Sequence, residues 1–344
     1  MKSLAQIFRA PATLRALLLG ATVMVLQGCG MIYKTTGDIL INFGRSEMLP
    51  YMMTYDDTAM GCAAGEALTP LLMSFERVGS NPDSLAVLVY VSAATCSEAL
   101  ALEEELRYLR AIRAGNVNEA QDARTQQKRH AALAAQRQFE AYNRMIQQYG
   151  EYDDKNQCPR LRRDFDEMVY MVGLIAGVQS LLNDGIADAS VGIPRDIAAK
   201  VERGAACLEN EKWWGVPRGI RGALWGILPM LAPENAEPWA ELDRATQIGF
   251  RKGVRLGSAL YAMSAYSQGD DQRLRKVIRD FAANSDNLDP EYRMLDTIAA
   301  QLIEGISDRL WTENTGRRTP FDSLGTFWDD SRSRQPQFDI DDLL

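Results

Sequence analysis

Apolar residues recur at three- and four-residue intervals along most of the chain, the spacing of helices that bury one face. Between 56 and 78 that rhythm is carried by Met60, Ala63, Ala64, Ala67, Leu71 and Phe75. Gly79-Ser80-Asn81-Pro82-Asp83 then reads as a turn that can start a second helix. That helix, 84–113, is rich in Ala, Leu and Val and ends at Gly115. Residues 117–149 predict a long third helix with a narrow stripe of Ala132, Ala135, Phe139, Tyr142, Ile146 and Tyr149. Packing within its own domain is preferred for that stripe over reaching a partner. Further helices are expected at 161–184, 194–210, 216–230, 236–252, 254–267, 270–284 and 290–313. Gly185, Pro194, Gly215, Pro233, Gly269 and Pro290 separate them. Residues 85–91 alone would fit a buried strand, but Ala and Leu continue past them, so helix is expected there too. Alternating strand patterns are almost absent, and the expected class is all-α.

Helices of this length joined by short turns predict stacked pairs. Ala114-Gly115-Asn116-Val117-Asn118-Glu119-Ala120 carries the Gly-to-Ala spacing of a tetratricopeptide turn. Tyr266-Ser267-Gln268-Gly269-Asp270 carries its aromatic and turn, with Leu274 where the repeat has Ala and Pro290 arriving about four residues late. Ser80–Asp83 resembles another unit ending. The expected architecture is a degenerate tetratricopeptide-like stack of antiparallel helix pairs, an α-α superhelix whose concave groove binds. An irregular helical bundle is the alternative.

The ends of the chain read differently. Lys2, Arg9 and Arg15, an apolar run from Ala16 to Leu26, and Leu26-Gln27-Gly28-Cys29 follow the order of an export signal. The last four residues resemble the bacterial lipobox, in which Cys29 becomes the acylated first residue. Gln27 is a less usual residue there, and an ordinary signal with an incidental Cys is the alternative. Gly30, rather than Asp, implies by the same resemblance a lipid anchor in the outer membrane, on its periplasmic face. The expected organisation is a signal at 1–28, an acylated start and linker at 29–55 and one helical domain at 56–314. A polar stretch at 150–160 is a possible internal boundary, and 315–344 is expected to form a loosely ordered acidic tail.

Cys62, Cys96, Cys158 and Cys207 remain once Cys29 is set aside. Four cysteines in an exported chain suggest two disulfides, and three pairings are possible. Cys62–Cys96 with Cys158–Cys207 is favoured, because each pair can sit on neighbouring helices. Buried free thiols are the alternative. There is no CxxC, so neither a redox motif nor a zinc knuckle is indicated.

Composition narrows the chemistry. The 344 residues are 46% hydrophobic and 24% charged, with a net charge of −8. That is too apolar for wholesale disorder and too acidic for a nucleic-acid face. No run reaches about 18 consecutive apolar residues, so a polytopic membrane protein is not expected. His130, the single histidine, sits among Gln127, Lys128, Arg129 and Arg137 on a polar helical face, so no His-based triad can be built. No HExxH, phosphate loop or dinucleotide glycine pattern appears. Glu103–Glu105 reads as a helix surface, and Asp164, Asp166 and Glu167 as the polar face of an amphipathic helix. No enzyme, metal or cofactor is expected.

The tryptophans are uneven. Trp213, Trp214, Trp225 and Trp239 fall within 27 residues. Trp213-Trp214-Gly215-Val216-Pro217 reads as a turn entering a helix. Core packing is the simpler reading. The sharper one is an aromatic pocket lined by Trp213, Trp214 and Trp225, with Arg218 and Arg221 orienting an acidic ligand.

The lipobox, the all-helical body with cryptic tetratricopeptide units and the Trp/Leu-rich second half resemble the TRAP-transporter-associated lipoproteins called TatT. Passages 262–273 and 295–311 look like that family's closing helices. The resemblance implies a periplasmic homotrimer with a pore or groove in each protomer. It also implies a partner, the substrate-binding subunit of a TRAP-type uptake system, and no catalytic residues. The 117–149 helix, the tail and the cysteine pairs depart from the family's pattern. The expected function is a transport accessory that binds a small apolar or amphipathic acid or docks its carrier. An assembly scaffold for an envelope complex is the alternative.

Overall fold

A computed structural model describes residues 30–152 and 157–330. The signal, Cys29 and the last fourteen residues lie outside the described residues. Among those described there are helices and turns but no strand, as the periodicity predicts. Helix α1 runs over 30–53, with a π-type turn at Gly44–Met48. It is followed by α2 (Thr58–Ser74), α3 (Asp83–Arg113), α4 (Val117–Tyr149), α5 (Asp164–Ile186) and α6 (Ile197–Ala205). Then come α7 (Val216–Ile227), α8 (Pro238–Lys252), α9 (Leu256–Ser267), α10 (Asp271–Ala283) and α11 (Arg293–Thr315).

Local chemistry sets these boundaries. Asp57, Asn116 and Asp270 each accept a hydrogen bond from a first-turn amide, those of Met60, Glu119 and Arg273. Such caps satisfy donors that a helix start leaves unpaired. Gly115 and Gly269 turn the chain at φ of 70° and 66°, where a side chain would be strained.

The long helices α2 to α5 pack side by side around one apolar core, which extends through α6 to Trp213, Trp214, Val216, Ile220 and Leu224. Small residues set the spacing. A Cβ on Gly65 would lie 2.5 Å from the Ala93 amide nitrogen, and one on Gly173 would lie 2.5 Å from Met145. The alanines of α4 (Ala120, Ala123, Ala131, Ala134, Ala135, Ala141) are buried, so α3 and α4 approach closely along their length. α3 and α5 are long and apolar enough to cross a membrane, but 50% and 56% of their apolar windows are buried inside this body. That matches core helices. A second core joins α7 to α11 through Leu242, Ala262, Ile278, Phe281 and Ile303.

Three expectations about domain organisation are corrected. The 150–160 stretch does not separate two cores, because α4 and α5 on either side of it pack against each other through Met145 and Gly173. Residues 30–53 are no linker: α1 seats Gly37, Ile41 and Gly44 against the body, where Phe75, Ser80 and Leu85 crowd the two glycines. The expected loose tail is also packed as far as it is described. Phe327 is buried, Trp328 stacks edge-on with Trp311, and Arg275 and Arg279 pair with Asp329 and Asp330.

Helix α11 closes the molecule. It packs on α9, then crosses back to α3, where Arg309 donates to Glu105 at 2.8 Å and Gly305 meets Leu102. It also touches α2 and the end of α1. At its start Asp296 receives Arg255, and both are almost fully buried. Arg255 donates from Nε to Oδ1 at 2.8 Å and from Nη2 to Oδ2 at 2.6 Å. Its Nη1 donates to the Phe281 and Asn284 carbonyls, and its guanidinium lies 3.8 Å from the centre of the Phe281 ring.

The sulfurs of Cys62 and Cys96 are bonded, as are those of Cys158 and Cys207. The first bond staples α2 to α3 beside the close approach at Gly65. The second ties the connection after α4 to the end of α6.

Between α3, α4 and α5, Glu98 accepts hydrogen bonds from Gln138 Nε2 and Asn183 Nδ2, each at 2.8 Å. Burial pushes its carboxyl pKa up despite these amide donors. A raised acid binds its proton more tightly folded than unfolded, so its contribution is fully present at low pH and is lost as pH rises through the folded value. Glu98→Gln is therefore expected to raise the melting temperature at pH 8 and to have little effect near pH 4. Thermal melts at the two pH values check this; an equal change at both would refute the titration argument.

Candidate functional site

A cleft of about 600 Å³ opens between the end of α5, α6 and the segment after α7. Leu181, Gly185, Ile193 and Ala198 form one wall, and Leu228, Met230 and Leu231 form the other. The volume falls in the range typical of small-molecule sites, and the lining is mostly apolar.

The wall is shaped by one buried carboxylate. Asp184 accepts hydrogen bonds from the Val191 and Ile193 amides at 2.9 Å each, while its own carbonyl accepts from the Ala189 amide. These bonds hold Asp188 and Ala189 in left-handed backbone, both with φ of 57°. For residues other than Gly that conformation costs about 1–2 kcal/mol each. Asp184 is thus spent on the loop and is not free to act on a ligand. On the opposite wall Leu228 leaves the helical backbone, and Pro229–Leu231 form a short 3-10 turn that presents Met230, 80% exposed.

The polar group left at this cleft is Arg195, exposed and without an ion-pair partner among the described residues. Apolar walls with one unpaired guanidinium suit a molecule with an apolar body and an acidic end.

No protein-family model, curated protein or solved structure matches the chain.

The residues expected to form an aromatic pocket are placed elsewhere, in three groups. Trp213 and Trp214 are buried, 5.4 Å apart between ring centres, and Trp214 packs on Tyr292. The Trp213 indole donates to Glu167 at 2.6 Å. Trp225 is also buried and donates to Glu202 at 3.1 Å, and Arg221 stacks over its ring while donating to the same carboxylate. Arg218 donates to Glu241 at 2.6 Å. Both arginines are thus neutralised within the fold, and none of the five lines the cleft. Trp213 and Trp225 each use the indole N–H on an internal carboxylate, as an indole does when it packs a core.

The cleft residues carried little signal in the sequence. Gly185, Gly192 and Pro194 mark a break between helices, but a pocket built from loop backbone has no residue motif. Cys29 lies outside the described residues. Among those described, no cluster of three or more His, Cys, Asp or Glu is arranged to hold a metal ion.

Proposed function

We propose that this protein is a non-enzymatic, lipid-anchored binding protein of the bacterial periplasm, which receives a small amphipathic acid in the cleft beside Arg195. The observation that carries this reading is the apolar cavity with a guanidinium at it that has no ion-pair partner among the described residues. The lipobox-like Leu26–Cys29 supports attachment to the outer membrane, and the resemblance to TatT supports a role as an accessory of a TRAP-type uptake system. In that role the protein would pass its ligand to, or dock, the substrate-binding subunit, and would work as a homotrimer. The same reading treats α7–α8 and α9–α10 as degenerate tetratricopeptide-like pairs. Their helices are 12 to 15 residues long and stack on one another, whereas the 31- and 33-residue helices α3 and α4 are far longer than such units.

The test compares decanoate with decanol, which share an alkyl tail and differ in charge. Titration calorimetry of the mature protein is expected to show decanoate binding about tenfold more tightly, the effect of one charge-assisted contact of about 1.4 kcal/mol. Arg195→Glu is expected to remove that preference and leave the melting temperature unchanged, because Arg195 is exposed and holds nothing in place. Equal binding of both compounds, or binding of neither, would refute the proposal and favour the scaffold reading.

A further inference from the structure

We propose that α1 is itself a membrane-contacting element, lying along a phospholipid surface with the face formed by Ile32, Ile39, Leu40 and Phe43 against the acyl region. The inference takes its location from the lipid anchor at Cys29 proposed above, but its physical basis is separate.

A helix advances about 100° per residue, so each position can be assigned to a side. Gly37, Ile41 and Gly44 fall together on the side seated against the body, and all three are buried. Ser80 fixes this contact by donating to the Lys34 carbonyl at 3.1 Å. Lys34, Asp38 and Asn42 fall on a second side, where Lys34 and Asp38 pair at 2.7 Å. The remaining arc, about 100° wide, holds Ile32, Thr36, Ile39, Leu40 and Phe43. Here Ile32 is 65% exposed, Ile39 62% and Phe43 54%. A helix that has already buried one apolar edge thus presents a second one outward. Residues scattered singly over a surface need no explanation, but a continuous stripe on one element does.

Three features choose lipid as the occupant. The N-terminal segment outside the described residues ends at Cys29, three positions before Ile32, so an acyl group there would deliver this helix to the bilayer. The stripe runs from 32 to 43, about 16 Å along the axis, which favours a helix lying in the surface plane rather than one standing off it. The one hydroxyl in the stripe is internally satisfied, since Thr36 Oγ1 donates to the Ile32 carbonyl at 2.9 Å. The face therefore carries no unmet side-chain donor into an apolar medium. Tyr33, largely exposed beside its start, is the residue type that sits at headgroup depth.

The experiment places the photoreactive residue p-benzoylphenylalanine at Phe43, at Ile39 and, as a control, at Phe321, which is fully exposed on the packed tail. The full chain, processed and acylated in cells, is reconstituted in vesicles of three parts phosphatidylethanolamine to one part phosphatidylglycerol. It is then irradiated and mapped by mass spectrometry. Phospholipid adducts at positions 39 and 43, at least fivefold more abundant than at 321, are expected. An adduct to a second copy of the chain at these positions would overturn the proposal in favour of self-association. No adduct at 39 and 43 would overturn it outright. The N-terminal peptide in the same digest reports acylation: an unacylated Cys29 refutes the anchor, whereas an acylated chain without adducts on α1 refutes only the surface contact.

Discussion

Asp296→Ala is expected to lower stability by about 3–5 kcal/mol, the largest effect of any single substitution considered. The variant leaves the Arg255 guanidinium buried with only two carbonyls and the Phe281 ring as partners. A carboxylate that neutralises it and accepts two parallel hydrogen bonds is gone, and the Arg255 backbone amide loses the same acceptor. Thermal unfolding should move down by about 10 °C for a domain of this size. Replacing both partners, as Arg255→Met with Asp296→Leu, is expected to recover much of the loss, because it removes the unpaired charge rather than exposing it. A single variant within 1 kcal/mol of the parent, or a double variant no better than the single, would show that the pair is not holding α9 to α11.

The second large effect concerns the cross-links. The bonded cysteines are 34 and 49 residues apart. Closing loops of those lengths removes unfolded-state freedom worth about 4 kcal/mol each in the chain-entropy account. Replacing Cys158 and Cys207 together by Ala is expected to cost up to about 4 kcal/mol, and reduction of the parent should cost more than either pair replacement alone. Denaturant melts with and without reductant read this directly, and non-reducing peptide maps establish the connectivity. Coincident melts in the two conditions would rule out the contribution.

The contrast between what could and could not be read from the sequence follows from where each signal lives. Helices α3 and α4 were legible almost to the residue, since periodicity over about thirty positions is bounded by Gly115, Asn116 and Gly150, whose chemistry is local. Helix α1 was not, since 29–55 was expected to be a linker; Gly37 and Gly44 are there for close contact with Phe75, Ser80 and Leu85, which lie far along the chain. The described part of the tail, as far as residue 330, was misread for the same reason. Its aspartates look like disorder until Arg275 and Arg279 are placed beside them.

The candidate site shows a further limit. The tryptophans drew attention because large aromatics with arginines nearby fit a pocket. The indole N–H groups of Trp213 and Trp225, however, are taken by Glu167 and Glu202, two acids on other helices. The cavity is instead walled by a loop that one aspartate holds through backbone amides. A sequence displays side-chain chemistry, and this cavity is made largely by backbone direction.

The position of α11 bears on how the fold closes. The helix that meets α1, α2 and α3 follows all three in the chain and is separated from them by seven other helices. Without it, Leu102 on α3 and the Arg255 guanidinium would lose the cover that Gly305 and Asp296 give them. Closure consequently joins distant parts of the chain in one step: a product cut short before residue 293 would leave an incomplete, sticky surface that a chain carrying α11 hides.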